Sequence, residues 1–247
     1  MVNPCPPKAC ASTQPRERRG WRLLLAAALL LSTPAFAADP PVAAFKTEYR
    51  LKAAGFPFTV GATRSLTPAG DGTWKMEVLA SNFLGEIRET SVFAWDGCVP
   101  VTRYYGYRRA GLGRVKTAEL RIDPGNGKAI SERSKHEPYH YDTEGNATDD
   151  IALPLALQCM LLKGERAMTL AVADERGVEK QRYQVEGKES VEIDGDSVAA
   201  IKVRRVRDDD SGRQTWLWFA PDHDFTLVQL VQRNDDGRHV LTLENLP

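Results

Sequence analysis

The stretch FKTEYRLK, residues 45–52, alternates without a break: Phe45, Thr47, Tyr49 and Leu51 point one way, and Lys46, Glu48, Arg50 and Lys52 the other. A side-chain period of two marks a strand with one face buried and one face in water. The pattern returns in Trp74, Met76, Val78 and Ala80 against Lys75 and Glu77, after the turn Pro68-Ala69-Gly70-Asp71-Gly72. These two stretches form a hairpin with the segment from Phe58 to Leu66.

Working outward, further strands are predicted at Ile87–Trp95, Val101–Arg108 and Val115–Ile122, the last ending in the strong turn signal Asp123-Pro124-Gly125-Asn126-Gly127. The second half repeats the logic at Met168–Ala173, Gln181–Glu186, Val198–Val206, Thr215–Ala220, Phe225–Gln232 and His239–Leu243, with turns such as Asp194-Gly195 between them. One segment breaks the pattern. DIALPLALQCMLLKG, residues 150–164, is apolar almost all round, follows Asp149 and Asp150, and ends in Lys163-Gly164 like a capped helix. A helix apolar on every side needs cover on every side, which suits one lying in the concavity of a curved sheet. The predicted class is therefore all-β and mainly antiparallel, a strongly curved sheet or partly open β-barrel with one buried helix. A two-sheet sandwich is the alternative architecture.

The N-terminus reads as a targeting segment over residues 1–37: Arg16, Arg18, Arg19 and Arg22 precede the short apolar run from Leu23 to Leu31 and the small-residue site Ala35-Phe36-Ala37. Cleavage is expected between Ala37 and Ala38. The run is too short for the roughly 20 residues that cross a bilayer as a helix, so the mature chain is expected to carry no transmembrane helix and to be periplasmic. Arg18-Arg19 also resembles a twin-arginine signal loosely, which leaves two export routes open. From residue 38 on, a single β domain is expected, since no linker interrupts it.

Removing residues 1–37 takes away five of the 33 basic residues and one of the 33 acidic ones, which leaves a slightly acidic domain and argues against a nucleic-acid partner. Cys5 and Cys10 leave with the segment. Cys98 and Cys159 then reach an oxidising compartment, where they form a candidate disulfide worth roughly 4 kcal/mol in the chain-entropy view, or remain as two buried thiols.

The chemistry offered by motifs is thin. His136, His140 and Asp142 share even spacing and one face of an extended strand, but Pro138 and the Asp142-Thr143-Glu144-Gly145-Asn146 stretch point to a loop, so no metal site is assigned. His223 lies between Asp222 and Asp224 in what reads as a turn, and Asp208-Asp209-Asp210 reads as a solvated one. No nucleophile elbow, phosphate-binding loop or zinc-protease motif is present, so no catalytic residue and no cofactor are assigned. The aromatics Trp95, Tyr104, Tyr105, Tyr107, Trp216 and Trp218 lie in strands, where they fill the core or line a groove.

The opening FKTEYRLKAAGFPFTVGA, the Asp-led helix, the pair VEIDGDSVAAIKVRRV and the ending WLWFAPDHDFTLVQLVQRNDDGRHVLTL together resemble an exported bacterial family catalogued as domain of unknown function 3108. The most telling passage is Trp-Leu-x-x-Ala-Pro-Asp at Trp216 to Asp222. The sequence departs from the family at Phe225-Thr226-Leu227-Val228, where a proline is expected near the tip. The resemblance implies a secreted, β-rich domain and supplies no catalytic residues. Function is therefore expected to be binding without catalysis: of a lipid or other hydrophobic envelope ligand, or, as the alternative, of an envelope protein or polymer. A hydrolase or metal-dependent enzyme built around His136, His140 and Asp142 is the weakest of the three.

Overall fold

A computed structural model of the chain describes residues 39–55, 58–208 and 212–247. The targeting segment with its Ala37–Ala38 cleavage point, Cys5 and Cys10, and Asp209 and Asp210 of the acidic run lie outside the described residues.

The first half of the unit is a meander of eight strands: β1 (Phe45–Lys52), β2 (Thr59–Gly70), β3 (Thr73–Asn82), β4 (Gly85–Asp96), β5 (Val99–Gly111), β6 (Arg114–Asp123), β7 (Lys128–Arg133) and β8 (Tyr139–Asp142). Helix α1 (Leu153–Leu162) follows. The second meander is β9 (Ala167–Asp174), β10 (Gly177–Ile193), β11 (Asp196–Val206), β12 (Gln214–Ala220), β13 (Thr226–Asn234) and β14 (Gly237–Leu243). Each strand pairs antiparallel with its sequence neighbour, and β1 pairs with β14, so all 14 strands form one sheet with β8 and β9 at its edges. The sheet is single, not a sandwich of two.

Register shifts at Pro68/Gly70, Val92/Phe93, Val185/Gly187 and Trp218/Phe219 bend the strands, as an extra residue on one side of a ladder does. The bent sheet brings its edges together at a seam. Thr148 forms a parallel bridge with Val172: its N–H donates to the Ala171 carbonyl at 2.9 Å, and the Ala173 N–H donates to its carbonyl at 2.7 Å. The Tyr141 hydroxyl donates to the Asp174 carbonyl at 2.7 Å and the Ser131 hydroxyl to the Glu175 carbonyl at 3.0 Å. Side chains and one bridge thus do across the seam what a continuous ladder does elsewhere.

Helix α1 connects the two edges and fills the concavity. Leu153, Ala156, Leu157 and Leu161, at the spacing of one helix face, pack with Leu170, Tyr183, Val203, Leu217 and Phe219 of the second meander. Ala152, Leu155 and Cys159, on the other face, pack with Leu66, Met76 and Phe93 of the first. Pro154 sits in the first turn, where its missing N–H costs nothing. At the other end Gly164, with φ +82°, closes the helix: its N–H donates to the Leu161 carbonyl at 2.9 Å and the Glu165 N–H to the Met160 carbonyl at 3.0 Å, the pairing that satisfies last-turn carbonyls.

The structure differs from the sequence reading between residues 128 and 142, where it adds β7 and β8. Lys128–Arg133 is short, and β8 is exposed at the sheet edge, so neither shows the apolar alternation that betrays a half-buried strand. Pairing with β6 supplies what the local sequence lacks.

Candidate functional site

A cavity of about 360 Å³ lies between the C-terminal half of α1 and the central strands β1, β2 and β13. Phe45, Val42, Leu227 and Leu162 give it apolar walls, and Gln158 and Asp224 mark its polar border. Its distinctive residue is Arg64. Arg64 is directly opposite Thr47 in the β1–β2 ladder, and Ala62 is opposite Tyr49, so the inward face of β2 reads Ala62, Arg64, Leu66. An arginine thus occupies a core register and is 4 % exposed.

Its guanidinium meets aromatic rings more than polar groups. The Arg64 Cζ lies 5.9 Å from the Phe45 ring centre and 5.7 Å from that of Tyr49. Nη1 donates weakly to the Tyr49 hydroxyl at 3.4 Å, and that hydroxyl donates in turn to the Leu227 carbonyl at 2.8 Å. Nη2 has no hydrogen-bond partner, nor does the hydroxyl of Thr47 beside it, which is 8 % exposed. Among the described residues Arg64 has no ion pair, although Asp224 borders the same cavity. A guanidinium always carries its charge, and a buried charge without a counterion costs several kcal/mol. Two unpartnered polar groups on adjacent strands beside one cavity are what an anion would satisfy.

The backbone at the cavity's edge is also unusual. Asp224 and Phe225, after the 3₁₀ turn Pro221–His223, both have positive φ, 50° and 53°. Such conformations cost of order 1–3 kcal/mol and persist where the surroundings impose them. Gln158 of α1 donates to the Asp224 carbonyl at 2.8 Å, which ties the helix to this turn.

A second polar cluster sits at the N-terminal end of α1. Asp149 is 1 % exposed and accepts hydrogen bonds from four groups: Ser91, Thr102 at 2.7 Å, and the N–H groups of Ile151 and Ala152 at 3.1 and 3.0 Å. Its own carbonyl receives the Leu153 N–H at 2.9 Å, so Asp149 closes the turn that leads into the helix and pins it to β4 and β5. Burial pushes its carboxyl up, and the four donors pull it back only in part. Asp150 is exposed at its surface, but it lies along the seam beside Val172, Gln181 and Tyr183. Burial first, then the neighbouring carboxylates of Asp149 and Asp174, push it up to about 7. Glu89, which accepts the Tyr105 hydroxyl at 2.5 Å, is also pushed up, mainly by burial. Every polar contact here runs to a helix end or a strand wall, so the cluster reads as structural.

The residues singled out in the sequence fall as follows. Cys98, in the β4–β5 turn, and Cys159 on α1 are bonded, with Cα atoms 5.4 Å apart. His136, His140 and Asp142 are all exposed, and Asp142 pairs with Lys128. No group of three or more metal-binding side chains is assembled among the described residues. No helix among them is long and apolar enough to cross a membrane. Tyr105 packs inward and Tyr104 stacks under Arg121 on the other face, as the alternation requires. Trp216 and Trp218 lie under the Lys202 ammonium, on the face opposite Leu217 and Phe219, and do not border the cavity. Sequence reading missed Arg64, although its signal was present: in Ala62-Thr63-Arg64-Ser65-Leu66 the alternation puts a charge between two buried apolar residues.

Among solved structures, the chain is similar to a β-barrel-like protein of domain of unknown function DUF1849 from Brucella abortus, with a TM-score of 0.53 over 81 % of this chain and 95 % of that one. The two are 11 % identical, so the likeness is one of fold. No curated protein matches the chain. The family described as "Protein of unknown function (DUF3108)" matches residues 51–244, and the chain belongs to that family.

Proposed function

We propose that this is an exported, non-catalytic binding protein that holds a hydrophobic molecule bearing an anionic head in the cavity beside Arg64. The observation that carries the reading is the buried guanidinium without a counterion, next to apolar walls. A volume of about 360 Å³ is at the lower end of the range of about 300–1,000 Å³ typical of small-molecule sites. A medium-length acyl chain fits that description, with its carboxylate or phosphate taken up by Arg64 and Thr47. Residence in the periplasm is supported by the basic-then-apolar N-terminus and by the Cys98–Cys159 bond, which suits an oxidising compartment.

Native mass spectrometry of the protein purified from periplasm without detergent, followed by organic extraction, tests both parts. The expected result is a near-stoichiometric adduct that extracts as an acidic lipid-like molecule. A bare chain that also fails to take up decanoate when titrated with it would remove the reading.

A further inference from the structure

Large apolar side chains left in water cluster at one rim. Phe83 is 85 % exposed, Leu112 83 % and Val115 60 %, and these are three of the five large exposed apolar residues among those described. Phe83 is at the tip of the β3–β4 hairpin and Leu112 at the tip of β5–β6. The tips touch backbone to backbone: a Cβ added at Gly111 would lie 2.5 Å from the Leu84 carbonyl oxygen, and one at Gly85 2.3 Å from that of Ala110. Two adjacent tips therefore present Phe83 and Leu112 side by side, and the Phe58 ring lies 5.8 Å from that of Phe83.

Both tips are built to hold these side chains outward. The Asn82 carboxamide oxygen accepts the N–H groups of Leu84 and Gly85 at 2.8 and 3.2 Å, fixing the turn that carries Phe83. Leu112 has φ +50°, a conformation that suits glycine or asparagine and strains a leucine. A leucine at that place gains nothing from burial, since it is exposed. Around the tips, the stretch from Arg108 to Lys116 carries Arg108, Arg109, Arg114 and Lys116, all exposed, and no acid. Of these, Arg108 pairs with Glu86 of β4 at 3.8 Å, whereas Arg114 and Lys116 have no ion pair among the described residues.

From this we infer that the rim is a docking surface for an anionic phospholipid bilayer, with Phe83 and Leu112 entering the interface and the unpaired Arg114 and Lys116 facing the head groups. Aromatic and aliphatic side chains gain by leaving water at that depth, and basic residues are drawn to an anionic leaflet. The rim lies at the Lys52 end of β1, and the cavity is bordered by Phe45, Thr47 and Tyr49 towards the other end. Docking would therefore leave the Arg64 cavity's border free.

Co-sedimentation of the protein with vesicles of phosphatidylglycerol and phosphatidylcholine tests the inference, beside vesicles of phosphatidylcholine alone. The protein should pellet with the anionic vesicles and partition onto the neutral ones at least about tenfold less. The Phe83→Ser/Leu112→Asn variant should lose at least about tenfold in binding, with a melting temperature no lower than the parent's, because both side chains are already in water and asparagine suits the positive φ at position 112. Failure to pellet with either vesicle would overturn the inference, as would equal pelleting with both, or a double variant that binds like the parent. A dimer in analytical ultracentrifugation that the double variant abolishes would assign the rim to a second copy of the chain instead.

Discussion

Arg64 sets the sharpest expectations. Arg64→Met removes a buried charge that has no counterion, so the ligand-free variant should unfold at a higher urea concentration than the parent, by about 1–3 kcal/mol. The same change should abolish discrimination between decanoate and decanol in a displacement titration, where the parent prefers the acid. A variant less stable than the parent and still selective for the acid would mean that Arg64 is paired in solution. Asp150 sets a pH dependence. Its folded pKa of about 7 lies above the ordinary 3.8, so between these values the folded chain binds more protons than the unfolded one. Stability from this group is fully present below about pH 4 and is lost as pH rises through 7. Asp150→Asn should flatten the decline in urea midpoint between pH 5 and 8, and an unchanged slope would show that Asp150 titrates normally. Alternation marked Arg64 as inward, whereas the crowding around Asp150 was invisible, because Asp174, Gln181 and Tyr183 reach it across the seam from another part of the chain.

At the level of elements, α1 is held by its two ends and by one covalent bond. Asp149 fastens the start to β4 and β5, Gly164 closes the finish, and Cys159 joins the middle to Cys98 in the β4–β5 turn. Cys159→Ser should lower unfolding free energy by about 2–5 kcal/mol in urea titration, and adding reductant to the parent should reproduce the loss. If neither moves the midpoint, the bond constrains little that the fold does not already fix. The helix was readable from its uniform apolarity and its flanking Asp and Gly residues, because these signals are local. β7 and β8 were not, because their stability comes from pairing at an edge. The partners Ser91 and Thr102 are unremarkable in sequence, 58 and 47 residues from Asp149, and only the fold connects them.

For the whole molecule, the sheet order places β2 and β1 in the middle, with β14 next to them, and the short β8 at an edge. Amide hydrogen exchange should be slowest in β2, β1 and β14 and fastest in β8, since central ladders open only with the whole sheet. Uniform protection across the sheet would contradict that gradient. Antiparallel meandering was legible from alternation and turns, whereas closure at the seam depends on contacts such as Tyr141 to Asp174 that no local pattern encodes. The central pairing has a further consequence in time. Tyr49 and Leu243 face each other in the finished ladder, yet they are separated by almost the whole described chain. A ribosome adding about 5–20 residues per second takes roughly 10–40 seconds to travel from the first strand to the last. Throughout that interval β1 stands with one flank unpaired, so an edge that the finished sheet covers stays open to pairing with other chains until the last strand arrives.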